Sequence, residues 1–244
     1  MAGSPEASGL RSGKRITQYV VGNTYCVSLS GSMAHWLDIS YTLFTVFGYP
    51  LSLIELVATV SGLTGVYAAT RAHISTWPIG MVNVSLMFWM FYQVQLYADM
   101  FLQVFFLTTS VYGWWNWNRK RAAKPVGYLS NRWRVGYALL VLLGSALSGW
   151  LFSHIHLWLP DYFPEESSFP FVDSFILVGS MAGTFLLARQ KVENWMLWVL
   201  IDCVAVALYA YKGIVFIALQ YSVFTLLATY GWWNWCRKYH RPGA

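Results

Sequence analysis

The sequence predicts an all-α integral membrane protein of eight transmembrane helices, one extra N-terminal helix followed by a 3+1+3 core of two parallel three-helix repeats. Three observations carry this. Of the 244 residues, 57% are hydrophobic and only 11% are charged, too few charges to solvate a compact soluble surface. The apolar residues fall into eight runs close to the roughly 20 residues that cross a bilayer. The string YGWWNW occurs twice, at Tyr112–Trp117 and Tyr230–Trp235.

Taken in order, residues 1–32 form a polar N-terminal tail, Gly/Ser-rich at its start and without a signal-peptide apolar core. The run 33–49 is the extra N-terminal helix; it carries His35 and Asp38, and an interfacial helix is its alternative. The first repeat, 51–118, holds runs at 51–70, 76–95 and 98–117. The connecting helix is 135–158, and the second repeat, 170–236, holds runs at 170–188, 194–211 and 214–235 before a cytoplasmic tail at 237–244. Loop charges support the count, because Lys and Arg collect on the cytoplasmic side. Eight crossings place 15 of the 16 basic residues on one side and leave only Lys212 on the other, beside the acidic Asp161, Glu165 and Glu166. Both termini are then expected to be cytoplasmic. The net charge of +6 reads as a topology signal, and no nucleic-acid partner is expected. Cys26, Cys203 and Cys236 lie far apart, and His154 and His156 point to different helix faces, so no metal site is expected.

An offset of 118 carries one YGWWNW onto the other and pairs Glu55 with Asp173, Gly65 with Gly183, Arg71 with Arg189, Trp77 with Trp195 and Phe106 with Phe224. Matching helices lie four apart and cross in the same direction, so the repeat is parallel, with its axis along the membrane normal. A pathway between two such halves is a transporter arrangement; gene duplication that left only structural symmetry is the alternative.

Polar groups inside the hydrocarbon are expensive and are functional candidates by default. In Glu193–Asp202, helical spacing sets Trp195, Trp198 and Asp202 near one stripe. A rise of about 1.5 Å per residue puts Asp202 roughly 13 Å below Glu193, near mid-membrane. A flat cation would satisfy both indoles and carboxylate; a protonated or inter-helix hydrogen-bonded Asp202 is the alternative. Gln93, Tyr97, Asp99 and Gln103 cluster around a short outer turn, the last two one helical turn apart, and read either as hydroxyl-binding groups or as a cap and interface residues. Asn83 and Gln220 are further intramembrane amides, either ligand contacts or helix-helix glue. Trp115, Asn116, Trp233 and Asn234 of the duplicated motif suit a gate or floor, or a belt anchor. No phosphate loop, HExxH or GxSxG occurs, so no catalytic residue or cofactor is expected, and the chain reads as no enzyme.

Together, WPIGMVN, FYQVQLYADMFLQVFF, ENWMLWVLID, YAYKGI and the two YGWWNW strings resemble the PnuC family of vitamin transporters over about residues 51–238. The resemblance implies a fold related to the SWEET carriers, a homotrimer in a bacterial inner membrane, and facilitated diffusion of nicotinamide riboside, an NAD precursor. A cytoplasmic nicotinamide riboside kinase would trap the substrate. Motif by motif it implies ligand contacts at Glu193, Trp195, Trp198 and Asp202, and at Tyr97, Asp99 and Gln103. Relatives carrying thiamine or riboflavin make another vitamin an alternative, and a receptor or scaffold that binds without transport is an alternative of a different class.

Overall fold

The computed structural model describes residues 37–46, 48–94, 97–119, 126–158 and 168–240. Among these, an antiparallel hairpin, β1 (Thr42–Val46) and β2 (Tyr49–Ser52), precedes seven helices: α1 (Leu53–Thr70), α2 (Thr76–Gln93), α3 (Tyr97–Arg119), α4 (Asn131–Trp158), α5 (Pro170–Ala188), α6 (Glu193–Tyr211) and α7 (Val215–His240). Five of them, α1, α4, α5, α6 and α7, are long and apolar enough to cross a membrane by length and composition. The chain is a helical membrane protein. The other two, α2 and α3, pack against each other and against α1 and α5 respectively.

The expected first helix, 33–49, is corrected: residues 33–36 and 47 lie outside the described residues, and 42–46 and 49–52 pair as the hairpin. A short apolar run does not distinguish strand from helix by periodicity. Here Thr42–Val46 is rich in β-branched and aromatic residues, Gly48 turns the chain at φ 80°, and Pro50 follows at a position where a helix would break. Ser52 then starts α1 through a capping box: its Oγ accepts from the Glu55 N–H at 3.3 Å, while Glu55 Oε2 accepts from the Ser52 N–H at 2.8 Å. Tyr49 fastens the hairpin across the bundle end, stacking on Phe216 at 5.2 Å and donating to Glu55 Oε1 at 2.6 Å. Burial and that carboxylate push the Tyr49 hydroxyl well above the ordinary phenol range. With a hairpin in place of a crossing, the count among the described residues is seven, and the inference that both termini share one side no longer follows.

Charge still separates the ends of the bundle. Eight of the nine described Lys and Arg, all but Lys212, lie at the end holding Arg71, Arg189 and Arg237, whereas Asp38, Glu55, Asp99 and Asp173 lie at the other.

At the basic end, positions 118 apart make equivalent bonds. α1 and α5 both finish with a residue in the left-handed region, Ala72 (φ 50°) and Gln190 (φ 58°). The N–H groups of His73 and Lys191 then reach back to Ala68 O at 2.9 Å and Leu186 O at 3.0 Å, the bonding of a Schellman cap. Carbonyls at these helix ends also accept from the duplicated motif of the opposite half. Asn234 Nδ2 and Trp235 Nε1 donate to Thr70 O and Ala69 O at 2.7 and 2.9 Å. Asn116 Nδ2 and Trp117 Nε1 both donate to Ala188 O, at 2.8 and 3.2 Å. Trp77, Trp117, Trp195 and Trp235, none above 4% exposed, interlock above these caps. Trp77 meets Trp117 edge-on at 5.3 Å, Trp195 meets Trp235 at 5.6 Å, and Trp117 lies 6.1 Å from Trp235. Such close packing requires glycine at Gly113 and Gly231, where a Cβ would stand 2.4 Å from Trp77 and 2.7 Å from Trp195.

Candidate functional site

Above the four-indole cluster lies a cavity of about 340 Å³ enclosed by α1, α2, α3, α5, α6 and α7. Its shell follows the 118-residue offset: Trp77 and Trp195 form the base beside the caps, and Phe106 and Phe224 both line the walls. Its chemistry departs from that offset. Trp198 and Asp202 on α6 correspond to Gly80 and Val84 on α2, while Asn83 on α2 corresponds to the fully buried Ile201. One half supplies an indole and a carboxylate; the other supplies space and an amide.

Asp202 sits mid-way along α6, 3% exposed, and makes no hydrogen bond or ion pair with another described residue. The lining contains no Lys or Arg to compensate it. Asn83 donates through Nδ2 to Ala58 O at 2.6 Å and to Ser61 Oγ at 3.3 Å. Its amide is thereby fixed, with Oδ1 left as an acceptor. Ser110 and Ser180, also in the lining, carry hydroxyls without a bond to another described residue. Tyr221, stacked on Tyr209 at 5.5 Å, closes the wall beside Phe224. An aromatic box with one uncompensated carboxylate and a few free hydroxyl and amide groups suits a flat, positively charged ligand that also carries hydroxyls.

Of the residues selected from sequence, Trp195, Trp198, Asp202 and Asn83 line this cavity. The others lie elsewhere. Gln93 spends its amide on backbone before the hairpin, accepting from Ile39 N–H at 3.0 Å and donating to Leu37 O at 2.8 Å. Gln103 is buried and donates to Asp99 O at 3.4 Å, with Asp99 in the first turn of α3 at the acidic end. Gln220 is half-buried on α7, outside the lining, and the side chain of Tyr97 lies outside the described residues.

Glu193 is a clamp. It accepts from the Leu129 N–H at 3.0 and 3.1 Å and from Arg134 Nε at 2.8 Å, pinning the start of α4 to the α5–α6 turn. Gly127 completes the strap by donating to Gln190 O and accepting from the Val192 N–H, both at 3.0 Å. In the expected gate, Asn116 and Asn234 cap helix ends, and Trp115 and Trp233 face outward at 54% exposure each. The buried members of the repeated motif are Trp117 and Trp235.

Sequence reasoning did not select Trp77, Ser110, Ser180, Tyr221 or Phe224 as site residues. The offset itself contained a signal for two of them, since it carries Trp195 onto Trp77 and Phe106 onto Phe224.

Comparison with known proteins points the same way. The sequence model of the nicotinamide mononucleotide transporter family matches residues 52–237, from the cap of α1 into the last turns of α7. The chain is 31% identical over 219 residues to the nicotinamide riboside transporter PnuC of Escherichia coli, covering 81% of this chain and 90% of that one. It is 27% identical over 202 residues to the riboflavin/roseoflavin transporter RibM of Streptomyces davaonensis, covering 82% and 93%. A crystal structure of the vitamin B3 transporter PnuC matches with a TM-score of 0.60 at 22% identity, over 77% of this chain and 82% of that one, a likeness of fold.

Proposed function

The chain belongs to the nicotinamide mononucleotide transporter family, and from that premise we propose that it carries nicotinamide riboside across the membrane by facilitated diffusion. It is a membrane transporter and not an enzyme. The observation that carries the cargo assignment is Asp202, buried and unpaired among the described residues beside Trp198 in a cavity without Lys or Arg. The pyridinium of the riboside would lie on the Trp198 indole with Asp202 as counter-charge. Its carboxamide and ribose would meet the Asn83 Oδ1 and the Ser110 and Ser180 hydroxyls.

The same charges favour the riboside over the mononucleotide. A phosphate would enter an enclosed site already holding a carboxylate and no cationic side chain, where like charges repel strongly. Riboflavin, neutral, would leave Asp202 uncompensated. Thiamine, also a flat cation, is the second reading, because the carboxylate does not separate the two.

Two parallel three-helix repeats joined by α4, a SWEET-like 3+1+3 arrangement, would let the halves rock about the cavity. Support comes from the caps and indole pairs that recur at the 118-residue offset. Cargo leaving through the basic end would have to part the four-indole floor and the bonds from Asn116, Trp117, Asn234 and Trp235. That end, with the C-terminus, would face the cytoplasm, where phosphorylation of the riboside by a kinase would trap it. The protein would work as a homotrimer with one pathway per protomer.

The test is uptake into proteoliposomes of nicotinamide riboside, its neutral reduced-ring analogue, thiamine and riboflavin. Asp202→Asn should impair uptake of the cationic riboside more than that of the reduced analogue. Trp198→Ala should weaken riboside binding by about 1 to 2 kcal/mol through lost stacking. Equal losses for the charged and neutral rings would make Asp202 structural. Binding without accumulation in the lumen would indicate a receptor.

A further inference from the structure

The basic end of the bundle carries cations without an acidic partner among the described residues. At the α3–α5 cleft, Arg119 lies over the Trp115 ring at 4.7 Å, Trp115 meets Tyr112 at 6.2 Å, Tyr112 stacks on Phe185 at 5.9 Å, and Arg189 lies over Phe185 at 5.7 Å. Two exposed guanidiniums therefore flank an unbroken ladder of three rings. Neither makes an ion pair or hydrogen bond with another described residue. The one described acid at this end, Glu193, is spent on Arg134 and the Leu129 N–H. The sequence has no Asp or Glu between Asp99 and Asp161 to serve Arg119 from nearby.

A guanidinium held over a ring face without a hydrogen-bond partner keeps its N–H groups available, and that fork fits the oxygens of a phosphodiester. The ladder sits at the ends of α3 and α5, where a bilayer places its headgroups, and Trp115 is 54% exposed there to take up glycerol and upper acyl carbons. The related cluster 118 residues on has Arg237 over Trp233 at 4.5 Å and Tyr230 at 6.0 Å from Trp233. Its other arginine is occupied differently: Arg71 Nη1 donates to Tyr67 at 3.3 Å and Arg71 O accepts from Lys238. Among the described residues, the α3–α5 cluster alone of the two presents two guanidiniums without a hydrogen bond or ion pair along a run of neighbouring rings.

We propose that Arg119 and Arg189, with the Trp115–Tyr112–Phe185 ladder between them, form a binding site for the phosphodiester headgroup of an anionic phospholipid. The site is separate from the transport cavity and does not depend on which vitamin is carried.

The test is native mass spectrometry of the full chain released from detergent, titrated with phosphatidylglycerol or with phosphatidylcholine. Phosphatidylglycerol should be retained in preference. Arg119→Gln should weaken it about fivefold, and Arg119→Gln with Arg189→Gln about 25-fold. The Arg119→Lys, Arg189→Lys pair keeps charge but loses the fork, and should fall between wild type and the glutamine pair, so the site stays testable if the glutamine pair does not fold. Equal retention of the two lipids by wild type, or unchanged retention in the substituted proteins, would overturn the proposal. Displacement of the lipid by excess inorganic phosphate would assign the site to a free anion instead. An oligomer lost on substituting these arginines would assign the patch to a second copy of the chain. Either result would also overturn it.

Discussion

Gly183→Ala separates the shape of the cavity from the stability of the fold. A Cβ built at Gly183 stands 3.1 Å from both Nε1 and Cε2 of Trp198 and 3.4 Å from Cζ2, so the indole must retreat from α5 by a few tenths of an ångström. Trp198 is half-buried and lines the cavity, so the space it retreats into is that of the ligand. Misplacing the stacking face should cost roughly 0.5 to 1 kcal/mol of cation binding, about a two- to fivefold rise in Kd. Stability should change little, because replacing a helical glycine by alanine gains about 1 kcal/mol of helix propensity against the small strain of moving a ring that has somewhere to go. Quenching of tryptophan fluorescence by nicotinamide riboside gives the Kd, and thermal unfolding in the same detergent gives the stability. A wild-type Kd accompanied by a large fall in unfolding temperature would refute the reasoning, because Trp198 would then be core and not cavity wall.

The same change at Gly231 should do the opposite. Its Cβ would stand 2.7 Å from Cδ2 and Cε2 of Trp195, which is 2% exposed and held edge-on by Trp235 at 5.6 Å; with no room to retreat, overpacking should cost about 1 to 3 kcal/mol, read as a lower unfolding temperature. Glu193→Gln should release the strap and leave the cavity intact. Because the Arg134 partner is 47% exposed, the loss should be only about 1 kcal/mol, seen as faster hydrogen exchange at residues 126–134 with riboside affinity unchanged. A large affinity loss with exchange unaltered would return Glu193 to the ligand site.

The helical part of the fold was legible because a membrane-buried helix must satisfy its backbone internally, which leaves long apolar runs as its signature. The expected runs 170–188 and 194–211 are α5 and α6 to within a residue. The hairpin was not legible on the same grounds: five apolar or β-branched residues read alike as strand or helix, and hydropathy does not register the turn that Gly48 makes at φ 80°. In the site, Asp202 and the indoles beside it were legible because a charge inside an apolar run has few reasons to exist. The amides were not, since Gln93, Asn116 and Asn234 find partners in main-chain groups 56, 72 and 164 residues away, which sequence spacing does not bring together. Glu193 opens the same helix as Trp195 and Asp202, yet it lies at the helix end, where the first turn of α6 meets the strap instead of the cavity.

The offset of 118 residues has a further consequence for chemistry. Where the two halves agree, they build structure: the caps, the four-indole floor and the lining phenylalanines Phe106 and Phe224. Where they differ inside the cavity, at Gly80 against Trp198, Val84 against Asp202 and Asn83 against Ile201, they supply what a ligand with unlike ends requires. Full symmetry would defeat that purpose. A carboxylate at position 84 as well as 202 would set like charges across one enclosed space and drive one of them neutral, and a second indole at position 80 would fill the room that Trp198 needs opposite it. Duplication therefore explains the scaffold, and the positions at which the copies parted explain how a cation with a ring at one end and hydroxyls at the other could be held in a single orientation.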